Sequence, residues 1–149
     1  SYEEAVIMGL AEDGGLLVPD QLPRVDKKLS EWKELDFQQL CLEIMELFIG
    51  KDLQRSELKK LIQSSYRSFR HPAVTPLRRL HSQNILELFH GPSLSFKDFG
   101  LQFLGNLYEA QITRTGRPIN VLGATSGDTG AASPGSRSLQ RGSTESLRR

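Results

Sequence analysis

The chain of 149 residues has a formal net charge of +1 at pH 7 and a single cysteine. Its balanced charge argues against nucleic acid as a partner, its one cysteine excludes an intramolecular disulfide, and it contains no apolar run of roughly the 18 residues that a membrane span requires. We therefore expect a soluble, cytoplasmic protein that is long enough for one ordinary hydrophobic core.

Residues 1–84 are predicted to form a helical N-terminal domain that ends in a proline-containing, non-helical connector. Capping-box spacing marks two helix starts, one at Ser1 with Glu4 and one at Asp36 with Gln39. Apolar residues recur at helical spacing after the second start, which predicts that they pack in the core. The positions expected there are Leu40, Ile44, Leu47 and Phe48 in one helix and Leu58, Leu61, Ile62 and Phe69 in the next.

Residues 85–132 have the pattern of a strand, a helix and a second strand. The first strand is predicted at residues 85–89, the helix at 96–114 and the second strand at 119–124. This order favours a parallel sheet with a right-handed crossover. Ligands of such sheets bind outside the carboxyl ends of the strands, and a polar loop follows each predicted strand. We therefore expect a binding site at this edge.

Residues 133–149 differ in composition, because they carry four arginines, one glutamate and no aromatic residue. Such a segment cannot bury enough apolar surface to offset the entropy lost on ordering. The sequence predicts a disordered, basic tail at these positions.

Lys97 follows the first loop and is a candidate nucleophile. Ser95 and Asp98 have the spacing of an N-cap and a third helical residue, which would place Lys97 second in the helix. The positive end of the helix and partial burial favour the neutral amine of this lysine over its ammonium form. The neutral amine is the nucleophile that forms a Schiff base. The carboxylate of Asp98 opposes this effect, and the sequence leaves the balance open.

The second loop, residues 125–130, has the features of an anion site. Gly127 and Gly130 allow close approach of the backbone to a ligand, and the following helix start directs N–H groups at it. Asp128 would repel an anion unless it is protonated, paired or turned toward another group. An ordinary glycine-rich turn with Asp128 as N-cap is the alternative. Further hydroxyl donors come from Thr125, Ser126 and Thr129.

Two segments closely resemble motifs of the threonine synthase family. Residues 90–98 read HGPSLSFKD, and the family's lysine motif is H-G-P-T-x-x-F-K-D. Residues 124–132 read ATSGDTGAA, as does the corresponding loop of that family. The opening of the chain, residues 1–23, is also similar, so the resemblance covers about residues 1–132.

The resemblance implies a pyridoxal-phosphate enzyme of fold type II, in which O-phosphohomoserine is converted to threonine with release of phosphate. The fold class is then α/β: a helical N-terminal module followed by the incomplete beginning of that enzyme's parallel sheet, the start of the catalytic domain at residues 85–132. Lys97 would hold pyridoxal 5'-phosphate, and Asp128 would face the cofactor's ring oxygen. The substrate's α-carboxylate would bind to Thr125, Ser126, Gly127 and Thr129.

The sequence departs from the family after Ala132, where members continue for several hundred residues. We therefore expect this chain to be inactive alone and to act with a complementing chain or as a homo-oligomer. A threonine-synthase-like phospho-lyase acting on phosphorylated amino acids is a second interpretation. A non-enzymatic interaction protein or truncated isoform, using the N-terminal module and the tail, is a third.

Two other chemistries receive little support from the sequence. Residues 128–131 read DTGA, which also matches the signature of aspartic proteases, but the downstream half of that fold is missing. No metal site is predicted, because His71, His81 and His90 lack metal-ligand spacing with a cysteine or with a carboxylate cluster.

Overall fold

The computed structural model describes residues 1–121 and 123–133 of the chain. This part contains six α-helices, two β-strands and a short 3₁₀ helix at Asp26–Lys28. The helices are α1 (Tyr2–Met8), α2 (Leu29–Trp32), α3 (Phe37–Ile49), α4 (Arg55–Tyr66), α5 (Asp98–Thr115) and α6 (Asp128–Ala132), and the strands are β1 (Leu77–Leu80) and β2 (Gln83–Leu86). None of the helices described is long and apolar enough to cross a membrane.

The chain divides into two compact units within α4. Ser1–Ile62 form the first unit, and the described residues from Gln63 onward form the second. The domain boundaries at residues 84 and 132 stay a prediction. The predicted disordered tail, apart from Ser133, lies outside the residues that the structure describes.

Both predicted capping boxes of the first unit are confirmed. The backbone N–H of Glu4 donates to Ser1 Oγ at 3.3 Å at the start of α1. At the start of α3, the N–H of Gln39 donates to Asp36 Oδ1 at 2.8 Å, and the N–H of Asp36 donates to Gln39 Oε1 at 2.9 Å. These bonds satisfy first-turn donors that have no partner inside the helix.

The core face of α3 differs from the predicted one. Leu42 and Ile49 are its buried residues, whereas Ile44 and Phe48 are 39% and 43% exposed. This helix is apolar around most of its circumference, so spacing alone did not select the face that packs. The prediction for α4 is confirmed for Leu58, Leu61 and Ile62, which are all buried, but Phe69 lies beyond the end of the helix at Tyr66.

The second unit contains an antiparallel hairpin after the end of α4. β1 pairs with β2 so that Leu77 lies opposite Leu86 and Leu80 opposite Gln83, and every residue of both strands is exposed. The strand predicted at residues 85–89 thus begins earlier and ends at Leu86, and its partner is the connector.

The second predicted strand, at residues 119–124, does not form among the residues described. Positions 119–121 and 123–124 have no regular secondary structure, and Leu122 lies outside the described part. A strand needs a neighbour to accept its backbone hydrogen bonds. The only sheet of the described chain has two strands, so no parallel pair is formed there.

α5 confirms the helix predicted at residues 96–114, although it begins two residues later, at Asp98. Phe103 and Leu107 are its buried apolar residues, and Gly116 ends it in the left-handed conformation at φ 67°. A hydrogen bond holds the start of α5, because the hydroxyl of Tyr66 donates to the main-chain carbonyl of Phe99 at 3.1 Å. The rings of Phe69 and Phe99 also lie 4.9 Å apart.

Candidate active site

Lys97 lies immediately before α5, not at the second helical position that the sequence predicted. The helix begins at Asp98, although Lys97 already has helical dihedral angles of φ −64° and ψ −20°. Ser95 Oγ accepts from the N–H of Lys97 at 3.3 Å, two residues on, as an N-cap hydroxyl does. The carbonyl of Ser95 accepts from the N–H of Asp98 at 3.1 Å, which tightens this turn.

The carboxylate of Asp98 is turned toward Ser93. Its side chain is completely buried, Oδ1 accepts from Ser93 Oγ at 2.8 Å, and Oδ2 accepts from the N–H of Ser93 at 2.9 Å. A Cβ atom added at Gly91 would collide with this carboxylate, so only glycine fits there. Among residues 1–121 and 123–133, Lys97 forms no ion pair within 4.0 Å.

A histidine–glutamate pair precedes this turn and was not predicted. His90 Nε2 lies 2.7 Å from Glu87 Oε2, and Arg78 Nε lies 3.5 Å from Glu87 Oε1. The hydrogen bond from His90, helped by the charge of Arg78, holds the pKa of the Glu87 carboxyl below its ordinary value of 4.5. The i,i+3 spacing of Glu87 and His90 was visible in the sequence, but their contact depends on the turn between them.

The 125–130 loop is organised by the hydroxyl of Thr125. Thr125 Oγ1 accepts from the N–H of Gly127 at 3.0 Å and from the N–H of Gly130 at 3.2 Å. Gly127 has φ 138°, which side chains rarely adopt, and it is the N-cap of α6. Asp128 is the first residue of α6, so its alternative role as an N-cap is wrong.

The predicted anion-site residues differ in exposure. Thr125, Ser126, Gly127 and Asp128 are exposed, and Thr129 and Gly130 are partly exposed. Gly130 lies close to Thr125, because an added Cβ would be 2.9 Å from Thr125 Cγ2. The loop therefore offers hydroxyl and N–H donors to solvent on a backbone that two glycines permit.

α5, which begins directly after Lys97, contacts α6, which forms the last part of the second motif. Gln102 Nε2, in the second turn of α5, donates to the carbonyl of Ala132 at the end of α6 at 2.9 Å. Gln102 is five positions after Lys97, which corresponds to about 7.5 Å along the helix axis. Gln102 had not been identified from the sequence, since its role depends on this tertiary contact.

Across the described residues, no group of three or more histidine, cysteine or acidic side chains is arranged to hold a metal ion.

Known proteins match this chain in sequence and in structure. Residues 1–66 match the family model described as threonine synthase N terminus. Threonine synthase from Schizosaccharomyces pombe is 48% identical, over 89% of this chain and 28% of that protein. Threonine synthase-like 2 from Homo sapiens is 38% identical, over 89% of this chain and 28% of that protein.

The crystal structure of PLP-bound threonine synthase from Brucella melitensis superposes with a TM-score of 0.85 at 32% identity, and the match covers 91% of this chain and 30% of that chain. The chain therefore spans less than a third of the length of these relatives. This likeness confirms the predicted fold class, a helical module followed by the beginning of a fold type II α/β enzyme. The chain belongs to the threonine synthase family.

Proposed function

We propose that this chain supplies the cofactor lysine and the carboxylate site of a pyridoxal-phosphate-dependent threonine synthase. Its substrate would be O-phosphohomoserine and its products threonine and phosphate. The observation that carries the proposal is the contact of α5 with α6 through Gln102 and Ala132, which links the helix that follows Lys97 to the helix that begins within the 125–130 loop. The 48% identity to the Schizosaccharomyces pombe threonine synthase supports the same reaction.

The residues around Lys97 fit an aldehyde cofactor. When bound, pyridoxal phosphate supplies the aldehyde and the electron sink for chemistry at the α and β carbons of an amino acid. Because Asp98 directs both carboxylate oxygens to Ser93, it leaves the Lys97 amine without a bonded anion among the described residues. Lys97 Nζ would hold the cofactor through its aldehyde carbon, whose oxygen leaves as water. Once the substrate's amine has replaced it there, the freed Lys97 amine would move a proton at the substrate's α carbon.

The loop donors fit a carboxylate oxygen. The N–H groups of Gly127 and Gly130 converge on one oxygen, Thr125 Oγ1, which supports an oxyanion position at this point. We propose that a substrate carboxylate takes this place when Thr125 rotates, with Ser126 and Thr129 adding hydroxyl donors. Asp128, exposed at the start of α6, would face the ring oxygen of the cofactor.

Covalent trapping tests the proposal. The 149-residue chain is incubated with pyridoxal 5'-phosphate and reduced with borohydride, and its labelled peptides are then identified by mass spectrometry. We expect the pyridoxyl group on Lys97 in preference to Lys59 and Lys60, and we expect O-phosphohomoserine to change the extent of labelling. Lys97→Arg, which keeps the charge, is the matched control. Equal labelling of all lysines would overturn the assignment.

The 149-residue chain by itself is expected to be inactive, because its match covers only 28% of the Schizosaccharomyces pombe threonine synthase. We propose that it acts with a complementing chain or as a homo-oligomer. Phosphate release from O-phosphohomoserine is the assay, and robust turnover by the isolated chain would contradict this part of the proposal.

A phospho-lyase is the second candidate, supported by the 38% identity to threonine synthase-like 2 of Homo sapiens. A lyase that degrades phosphorylated amino acids would bind O-phosphothreonine as well as O-phosphohomoserine. Competition of the two compounds in the trapping experiment separates the candidates, since a synthase site should respond to O-phosphohomoserine at lower concentration.

A further inference from the structure

We propose that Asp98 is a positioning residue that fixes the backbone of Lys97 through the hydroxyl groups of Ser93 and Ser95. Because this role matters only if Lys97 carries the cofactor, it rests on the function proposed above. Asp98 touches neither the lysine amine nor the 125–130 loop in any contact of the described residues, so it would act through the turn alone.

The burial of Asp98 requires the bonds that it makes. A carboxylate removed from water is costly unless strong donors surround it, and the side chain of Asp98 is completely buried. Ser93 supplies both donors, its hydroxyl at 2.8 Å to Oδ1 and its N–H at 2.9 Å to Oδ2. Hydrogen bonds to an ionised acceptor are stronger than neutral ones, so the position of Ser93 is closely fixed.

The direction of these bonds transmits the constraint to Lys97. A serine hydroxyl has one proton, and that of Ser93 points to the carboxylate, which leaves its lone pairs for the N–H of Ser95 at 3.4 Å. Ser95 Oγ in turn accepts from the N–H of Lys97 at 3.3 Å. The chain of bonds thus runs from the buried carboxylate to the backbone of the lysine.

The turn formed by residues 91–98 needs such an anchor. Leu94 lies within it at φ 64°, a left-handed conformation that is unfavourable for a non-glycine residue. Gly91 allows the carboxylate to lie against its backbone, where any side chain would collide with it. The buried bonds of Asp98 hold this strained turn closed, and the turn sets where the Lys97 side chain leaves the backbone.

The test uses the 149-residue chain and two substitutions at Ser93. Removing Asp98 would threaten the start of α5, so Ser93→Ala is preferred, because it deletes only the hydroxyl link. Ser93→Thr keeps a hydroxyl and is the conservative rescue. Asn106→Ala is the matched control, since Asn106 Nδ2 donates to the buried Ser65 Oγ at 3.2 Å further along α5.

Two readouts are measured, amide hydrogen exchange at Ser95 and Lys97 and the share of pyridoxyl label on Lys97. In Ser93→Ala we expect about tenfold faster exchange at both amides and a several-fold smaller share of label at Lys97. Ser93→Thr should restore both quantities. Asn106→Ala should leave them unchanged although it lowers overall stability.

The outcomes separate this inference from the proposed function. Wild-type exchange at Ser95 and Lys97 in Ser93→Ala, or equal effects of Ser93→Ala and Asn106→Ala, would overturn the positioning role while Lys97 stayed the cofactor lysine. If wild-type protein shows no preference for labelling at Lys97, the proposed function fails. The exchange comparison then still decides whether Asp98 holds the turn.

Discussion

Gln102 and Ala132 are joined by a 2.9 Å hydrogen bond from the side-chain amide nitrogen of Gln102 to the main-chain carbonyl of Ala132. Ala132 ends α6, and the carbonyl groups at the end of a helix have no N–H partner inside it. α6 has only five residues, far fewer than a helix needs to be stable by itself. Its place beside α5 therefore depends on contacts such as this one and on the buried methyl group of Ala132.

Gln102→Ala should loosen α6 while leaving α5 intact. The carbonyl of Ala132 loses its side-chain partner, which should cost about 1 kcal/mol in the local free energy of opening. Hydrogen exchange at the N–H of Ser133, which donates to Thr129 O at 3.1 Å, measures the effect. Gln111→Ala, near the C-terminal end of α5, is the control. Equal exchange in the two variants would show that the bond does not hold α6.

Gly130→Ala should destabilise the 125–130 loop, and Thr125→Ser should rescue it. The added methyl group would lie 2.9 Å from Thr125 Cγ2, and rotating Thr125 away would remove Oγ1 from the N–H groups of Gly127 and Gly130. We expect a loss of about 1–3 kcal/mol in the free energy of unfolding. Serine keeps the hydroxyl without the methyl group, so the double variant should recover most of this loss.

Urea unfolding of the two single variants and of the double variant measures this coupling. Alanine is a better helix former than glycine by about 1 kcal/mol, so the double variant could even exceed the wild type in stability. Additive effects of the two substitutions would contradict the contact between Thr125 and Gly130.

Local features of the fold could be predicted from the sequence, because they depend on residues a few positions apart. The boxes at Ser1 and Asp36 follow from i,i+3 spacing, and both are formed. The N-terminal boundary of α5 was placed too early because the first backbone bonds there, from Asp98 to Ser95 and from Phe99 to Phe96, span three residues and not four. Helix ends commonly shift by this amount.

Contacts between distant segments could not be predicted. A strand pattern does not name its partner, and residues 85–89 were assigned to a parallel sheet although β2 pairs with the connector. Within the candidate site, the two motifs were identified by their residues. The bonds that organise them, from Gln102 to Ala132 and from Ser93 to Asp98, depend on how the chain folds around them.

Asp36→Ala should destabilise the first unit by about 1 kcal/mol, since it removes the acceptor of the Gln39 N–H at 2.8 Å. Asp36→Asn keeps a side-chain oxygen and should cost much less. Far-ultraviolet circular dichroism during urea unfolding reports the loss. If both variants unfold at the same urea concentration as the wild type, the cap does not stabilise α3.

Glu87→Gln should remove a pH dependence of stability. The hydrogen bond from His90, at 2.7 Å, and the charge of Arg78 hold the pKa of Glu87 below 4.5 in the folded protein. In the unfolded chain the carboxyl returns to its ordinary pKa. The stabilisation is therefore complete above the unfolded pKa. It is lost as the pH falls toward and through the folded pKa, because in this range the unfolded state binds a proton that the folded state does not bind.

Urea unfolding of the wild type and of Glu87→Gln between about pH 6 and pH 3 measures this difference. The wild type should lose stability more steeply than the variant below pH 4.5, and the two curves should run parallel above it. Glu109→Gln, which changes an exposed glutamate of α5, should keep the steep dependence. If Glu87→Gln retains it as well, the contacts of Glu87 with His90 and Arg78 do not stabilise the folded state.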